Sequence, residues 1–96
     1  SSMSLKDSLL NKLETQTERW SKQVDSLRAD AESKIAKAKD ERAEAEIERE
    51  FSEKVQKLED RIEQARQKLG EIRDSGEDQL RNLRERIDEW LPSNTN

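Results

Sequence analysis

From the first leucines onward, apolar side chains recur at alternating steps of three and four: Leu10, Leu13, Thr17, Trp20, Val24, Leu27 and Ala31. That alternation is the a and d spacing of a heptad, in which one stripe of a helix faces another helix. The spacing resumes at Phe51 and continues through Val55, Leu58, Ile62, Ala65, Leu69, Ile72 and Gly76. One extra step of four leads to Leu80, Leu83, Ile87 and Trp90, a stutter that locally unwinds a supercoil. Two such blocks predict an all-α chain built as a coiled coil.

Between residues 5 and 91 there is no proline, and the only glycines are Gly70 and Gly76. So little punctuation predicts helix almost throughout. Ser4 is placed to cap its start, with its hydroxyl taking the free amide of Asp7. Pro92 stops the helix after Trp90 and Leu91, which predicts a disordered tail over residues 92–96. Ser1 and Ser2 ahead of Met3 read as a vector-derived scar, so residues 1–3 are expected to be a disordered start and Met3 the native one, of a short complete protein.

The stripe lapses in the middle, at "ERAEAEIERE", residues 41–50. Lys34, Glu41 and Glu48 stand in the heptad class that holds Leu13, Trp20 and Leu27 before them and Val55, Ile62 and Leu69 after. Residues 34–53 contain no Gly, Pro or Asn and are dense in Ala and Glu, a strong helix-forming composition. Local propensity therefore predicts one near-continuous helix over residues 4–91, about 130 Å long at 1.5 Å per residue. The alternative is an intrachain helical hairpin with its turn near residues 40–48. "RDSGEDQ" offers breaker chemistry at 74–77, where Asp74, Ser75 and Gly76 can end a helix and Ser75 with Asp78 can cap another. A hinge there competes with a second reading, favoured because the stripe runs through Gly76: a seam glycine that lets another helix, or Trp20, approach closely.

A single helix of this kind cannot bury its own stripe. Antiparallel self-pairing of residue i with 96 − i matches Leu13 to Leu83, Trp20 to Gly76 and Leu27 to Leu69; a register one heptad shorter also pairs well. An intrachain hairpin is expected to use the same contacts. The expected self-association seam is Leu13, Trp20, Val24, Leu27, Ala31, Ala38, Ala45, Phe51, Val55, Leu58, Ile62, Ala65, Leu69, Ile72, Gly76, Leu80, Leu83, Ile87 and Trp90. The partner it implies is the chain itself, as a homodimer or a tetramer, or else another helical protein.

Composition narrows the function. Of 96 residues, 29% are hydrophobic and 44% charged, far from the balance of a thick globular core. There is no Cys and no His, which removes thiol and imidazole chemistry and the usual zinc sets. No uninterrupted apolar run exceeds two residues, too short for a membrane span or a signal peptide, so the expected compartment is the cytoplasm. Lys and Arg are interspersed with a slight acidic excess, net −4, which argues against nucleic acid.

Individual motifs point the same way. Glu18 with Lys22, Asp30 with Lys34, Glu50 with Lys54, Glu53 with Lys57 and Glu77 with Arg81 are spaced for support along a helix surface. Trp20 and Trp90 lie on the seam and are read as packing residues more than as interaction anchors. Glu44, Glu46, Glu48 and Glu50 alternate around a helix and do not converge on a cation. The expectation is therefore no enzyme, no cofactor and no metal. A lipid-surface helix, as in apolipoproteins, is the alternative function; the narrow Ala-rich stripe flanked by both charges does not favour a membrane surface.

The stretch "KLETQTERWSKQVDSLRADAE", followed by "EFSEKVQKLEDRIEQARQKLGEIRDSGEDQLRNLRERIDEW", resembles a family of short bacterial coiled-coil proteins of about this length. Leu13, Trp20, Asp25, Leu27, Ser75, Gly76 and Trp90 carry the likeness, which covers nearly the whole chain. The resemblance implies a coiled-coil protein, sometimes linked to stress response, with no assigned activity.

Overall fold

A computed structural model describes residues 4–92. The expected scar at residues 1–3 and the tail from residue 93 onward lie outside the described residues. Three helices follow in order: α1 (Leu5–Ala36), α2 (Glu41–Asp74) and α3 (Glu77–Trp90). Among the described residues there is no strand, so the fold is all-α.

The N-terminal cap forms as its residues predict, with the Asp7 N–H donating to Ser4 Oγ at 3.1 Å. The uninterrupted helix through the centre does not. The chain leaves helix at residues 37–40, just ahead of "ERAEAEIERE", and the hairpin alternative is the one adopted. No residue there has positive φ and no glycine is needed. Lys37 and Ala38 donate their amides to the Lys34 and Ile35 carbonyls at 3.1 Å, three residues back, tightening the end of α1. Asp40 then opens α2: its Oδ1 accepts the Ala43 N–H at 2.8 Å, and its carbonyl accepts the Glu44 N–H at 3.1 Å. Lys34 stands in the last turn of α1, while Glu41 and Glu44 stand in the first turn of α2, each complementing the helix dipole next to it.

Moving the turn also moves the register. In a hairpin, residues equidistant from the turn face each other, so a turn at 37–40 sets pairs summing to about 78 rather than the expected 96 or 89. Leu27 and Ala31 accordingly share a groove with Ile47 and Phe51. The expected matches of Leu27 to Leu69 or to Ile62 are replaced, and the hairpin does not reuse the contacts of the straight-helix pairing.

The chain divides into two units. One, Glu18–Ile62, is an arm: the second half of α1 and the first half of α2, antiparallel across the turn. The other contains residues 4–17 and 63–92, where three helical segments assemble: the start of α1, the end of α2 and all of α3. Residues 75–76 link α2 to α3. Gly76 is the N-cap of α3, exposed and extended at φ −81° and ψ 172°, with no side-chain cap. The cap that Ser75 and Asp78 could supply in the hinge alternative is not formed; the Ser75 hydroxyl donates back to the Glu71 carbonyl instead. A Cβ at Gly76 would meet nothing within 4 Å, so no helix and no indole crowds it here.

Candidate interaction surface

In the three-segment unit the stripe is closed. Leu9 and Leu13 from α1, Ala65, Leu69 and Ile72 from α2, and Leu80, Leu83 and Ile87 from α3 are all buried, and Leu91 joins them. Lys12 Nζ lies 2.8 Å from Asp88 Oδ1, and Ser4, Leu5 and Lys6 line a groove with Gly76, Glu77 and Leu80. These contacts make α3 parallel to the start of α1 and antiparallel to the end of α2. At the far end of α3, Trp90 Nε1–H donates to Gln64 Oε1 at 2.7 Å, and Lys68 Nζ sits 4.8 Å from the indole centroid. Lys6 Nζ ties the start of α1 to the Arg73 carbonyl at 2.8 Å.

Leu9, Gln16 and Leu91 are buried but absent from the expected seam. A helix touching two neighbours needs a wider apolar face than a coiled-coil seam. Leu9, Leu13, Gln16 and Trp20 form a second row beside Leu10 and Thr17, which are half-buried. The doubled Leu9-Leu10 was the signal for it.

In the arm the same stripe stays partly open. Trp20, Ala31, Val55, Leu58 and Ile62 are buried, but Val24, Leu27, Ala38 and Phe51 are only half-buried. Ile35 and Ile47 share that state, and Ala45 is exposed. Two helices cover one line of contact between them and leave both flanks of their side chains to solvent. Of the expected seam, Trp90 is half-buried and Ala45 and Gly76 are exposed.

Charge surrounds the open stripe. Arg49 bridges two carboxylates of its own helix, Glu46 at 2.6 Å and Glu53 at 2.7 Å, so Glu53 pairs back to Arg49. The hydrogen bond from Arg49, and then its charge, hold the Glu46 carboxyl below its ordinary value; the same contacts raise the guanidinium. Glu18 with Lys22, at 3.6 Å, and Asp30 with Lys34, at 3.0 Å, form as spaced. All these groups are exposed, so water and salt screen the pairs and they add little to stability. Among the described residues, no three acidic side chains gather as a metal-ligand set, and no helix is long and apolar enough to cross a membrane.

Comparison with family models, with curated proteins and with solved structures gives no match to the chain.

Proposed function

We propose that this protein is a non-catalytic structural and interaction module that self-associates by helix pairing, with the arm of α1 and α2 as its docking face. One observation carries the reading: the heptad stripe that is buried in the three-segment unit remains half-open along the arm at Val24, Leu27 and Phe51, with the half-buried Ile47 beside it. A half-covered stripe of large apolar side chains gains free energy when a further pair of helices closes over it, at about 25 cal/mol per Å² removed from water. The flanks carry both signs of charge, so no single-sign field repels a second copy. The cytoplasmic setting and the kinship with short bacterial coiled-coil proteins belong to the same proposal.

Sedimentation equilibrium across a micromolar series tests it. The expected result is a monomer–dimer equilibrium that Leu27→Gln and Phe51→Gln each weaken without loss of helicity by circular dichroism. A wild-type chain that stays monomeric at every concentration overturns the reading. Anionic vesicles added to the same samples test the lipid-surface alternative, for which co-flotation is the positive outcome.

A further inference from the structure

We propose that α3 is an exchangeable element: residues 75–76 straighten, α2 and α3 merge into one helix, and α3 takes the same seat in a second copy of the chain. The idea rests on the self-association reading above but stands on the other unit of the chain, so the two can fail separately.

The link itself makes few demands. Gly76 has ordinary negative φ, a Cβ there would touch nothing, and no side chain caps α3. The Ser75 hydroxyl already bonds the carbonyl four residues back, a contact that serines make inside continuous helices. Passing from the closed link to helix needs rotation about a few backbone bonds and breaks no side-chain cap.

The apolar pattern passes straight through. Ile72, Gly76 and Leu80 are spaced by four, and Leu83, Ile87 and Trp90 follow at steps of three and four. A merged helix therefore keeps the end of α2 and all of α3 on one stripe, apart from the local unwinding of two successive steps of four.

The closed contacts are those of a two-fold crossing. Within one chain α3 lies antiparallel to the end of α2, with Trp90, 14 residues after Gly76, bonded to Gln64, 12 residues before it. Two merged helices crossing antiparallel about an axis near Gly76 place Trp90 of one copy at Gln64 and Lys68 of the other. Lys12 and Asp88 then pair between copies as they do within one. Exchange of an identical element with a short hinge is a low-cost route to a dimer because the contacts are conserved. Fourteen residues are marginal as a free helix, so α3 released from its own seat must find another, and Leu80, Leu83 and Ile87 specify which.

The experiment uses the Lys12–Asp88 contact as a reporter. Unlabelled and 15N-labelled chains are unfolded together, refolded at high concentration and separated by size. A carbodiimide then condenses the Lys12 amine with the Asp88 carboxylate, and the cross-linked peptide is weighed. The expected result is mixed-label Lys12–Asp88 peptide in the dimer fraction. Gly76→Ala meets no atom in the closed link, is a poorer N-cap there and is better inside a helix, so it should raise the dimerisation constant at least roughly five- to thirtyfold, with two hinges straightening per dimer. Gly76→Pro fits φ −81° but blocks the merged helix; it should abolish mixed-label peptide while circular dichroism shows the monomer folded. Only same-label peptide in the dimer, or no dimer for wild type and Gly76→Ala alike, overturns exchange. Same-label peptide in a dimer sensitive to Phe51→Gln leaves arm docking standing alone; mixed-label dimers indifferent to Phe51→Gln leave exchange standing alone.

Discussion

Gly70 lies inside α2, half-buried, where a Cβ would meet nothing within 4 Å. It contributes no close approach and no special φ, so it only adds backbone freedom to the unfolded chain. Gly70→Ala is expected to stabilise the protein by about 0.5–1 kcal/mol, read as a rise in Tm of several degrees. Ile72, two residues on, is the opposite case: it is fully buried among three helical segments. Ile72→Ala should cost about 2–5 kcal/mol by urea denaturation, because the surrounding side chains cannot all collapse into the space. The same truncation at Val24, half-exposed on the arm, should cost distinctly less. Equal losses at the two sites would mean that the arm is as tightly packed as the three-segment unit.

At the level of elements, the turn at residues 37–40 depends on capping, not on glycine or proline. Asp40→Ala removes the acceptor of the Ala43 N–H and should cost about 1 kcal/mol, measured by thermal unfolding. This turn was the part of the fold least visible in the sequence. The helical stretches and most of the buried stripe follow from the three-and-four spacing, and the Ser4 cap follows from Ser4 standing three residues ahead of Asp7. The turn was hidden because it contains no Gly, Pro or Asn, and because heptad phase is the same in a straight helix and in a folded one. A signal existed in the reversal of charge from Lys34, Lys37 and Lys39 to Asp40, Glu41 and Glu44, which suits a helix end followed by a helix start. Tertiary pairing of the two stripes then overrode propensity. Several large side chains gain roughly 1.5–3 kcal/mol each on full burial, more than a four-residue break in an Ala and Glu stretch costs.

Early in α2, the Glu46–Arg49 contact makes local structure depend on pH. Arg49 holds the Glu46 carboxyl below its ordinary value of 4.5, so the pairing contributes above that value and is lost as pH falls through the lowered one. Both groups are exposed, and the response belongs to local helicity more than to global unfolding. Arg49→Gln should return the Glu46 titration midpoint upward, observable by NMR of the side-chain carboxyl. An unchanged midpoint would mean that the ion pair is not held in solution.

For the whole molecule, the contrast between a closed and a half-open stripe predicts unequal stability along two of its helices. Local opening free energy follows buried apolar contact, and amides in segments with less of it exchange through openings smaller than global unfolding. Residues 65–72 of α2 pack Ala65, Leu69 and Ile72 under two other helical segments. Residues 24–35 of α1 and 43–51 of α2 bury only Ala31 and leave Val24, Leu27, Ile47 and Phe51 half-covered. Native-state hydrogen exchange should therefore show protection falling along α2 from its end toward its start, with the amides at 43–51 exchanging by a separate, lower-energy opening. The α1 amides at 24–35 should share that opening, since the two strips of the arm depend on each other. If a second copy covers the arm, raising protein concentration should slow exchange there and leave residues 65–72 unchanged. If exchange is equally slow along the whole of α2 in dilute monomer, two helices alone hold the arm closed, and the half-open stripe loses its reason to bind anything.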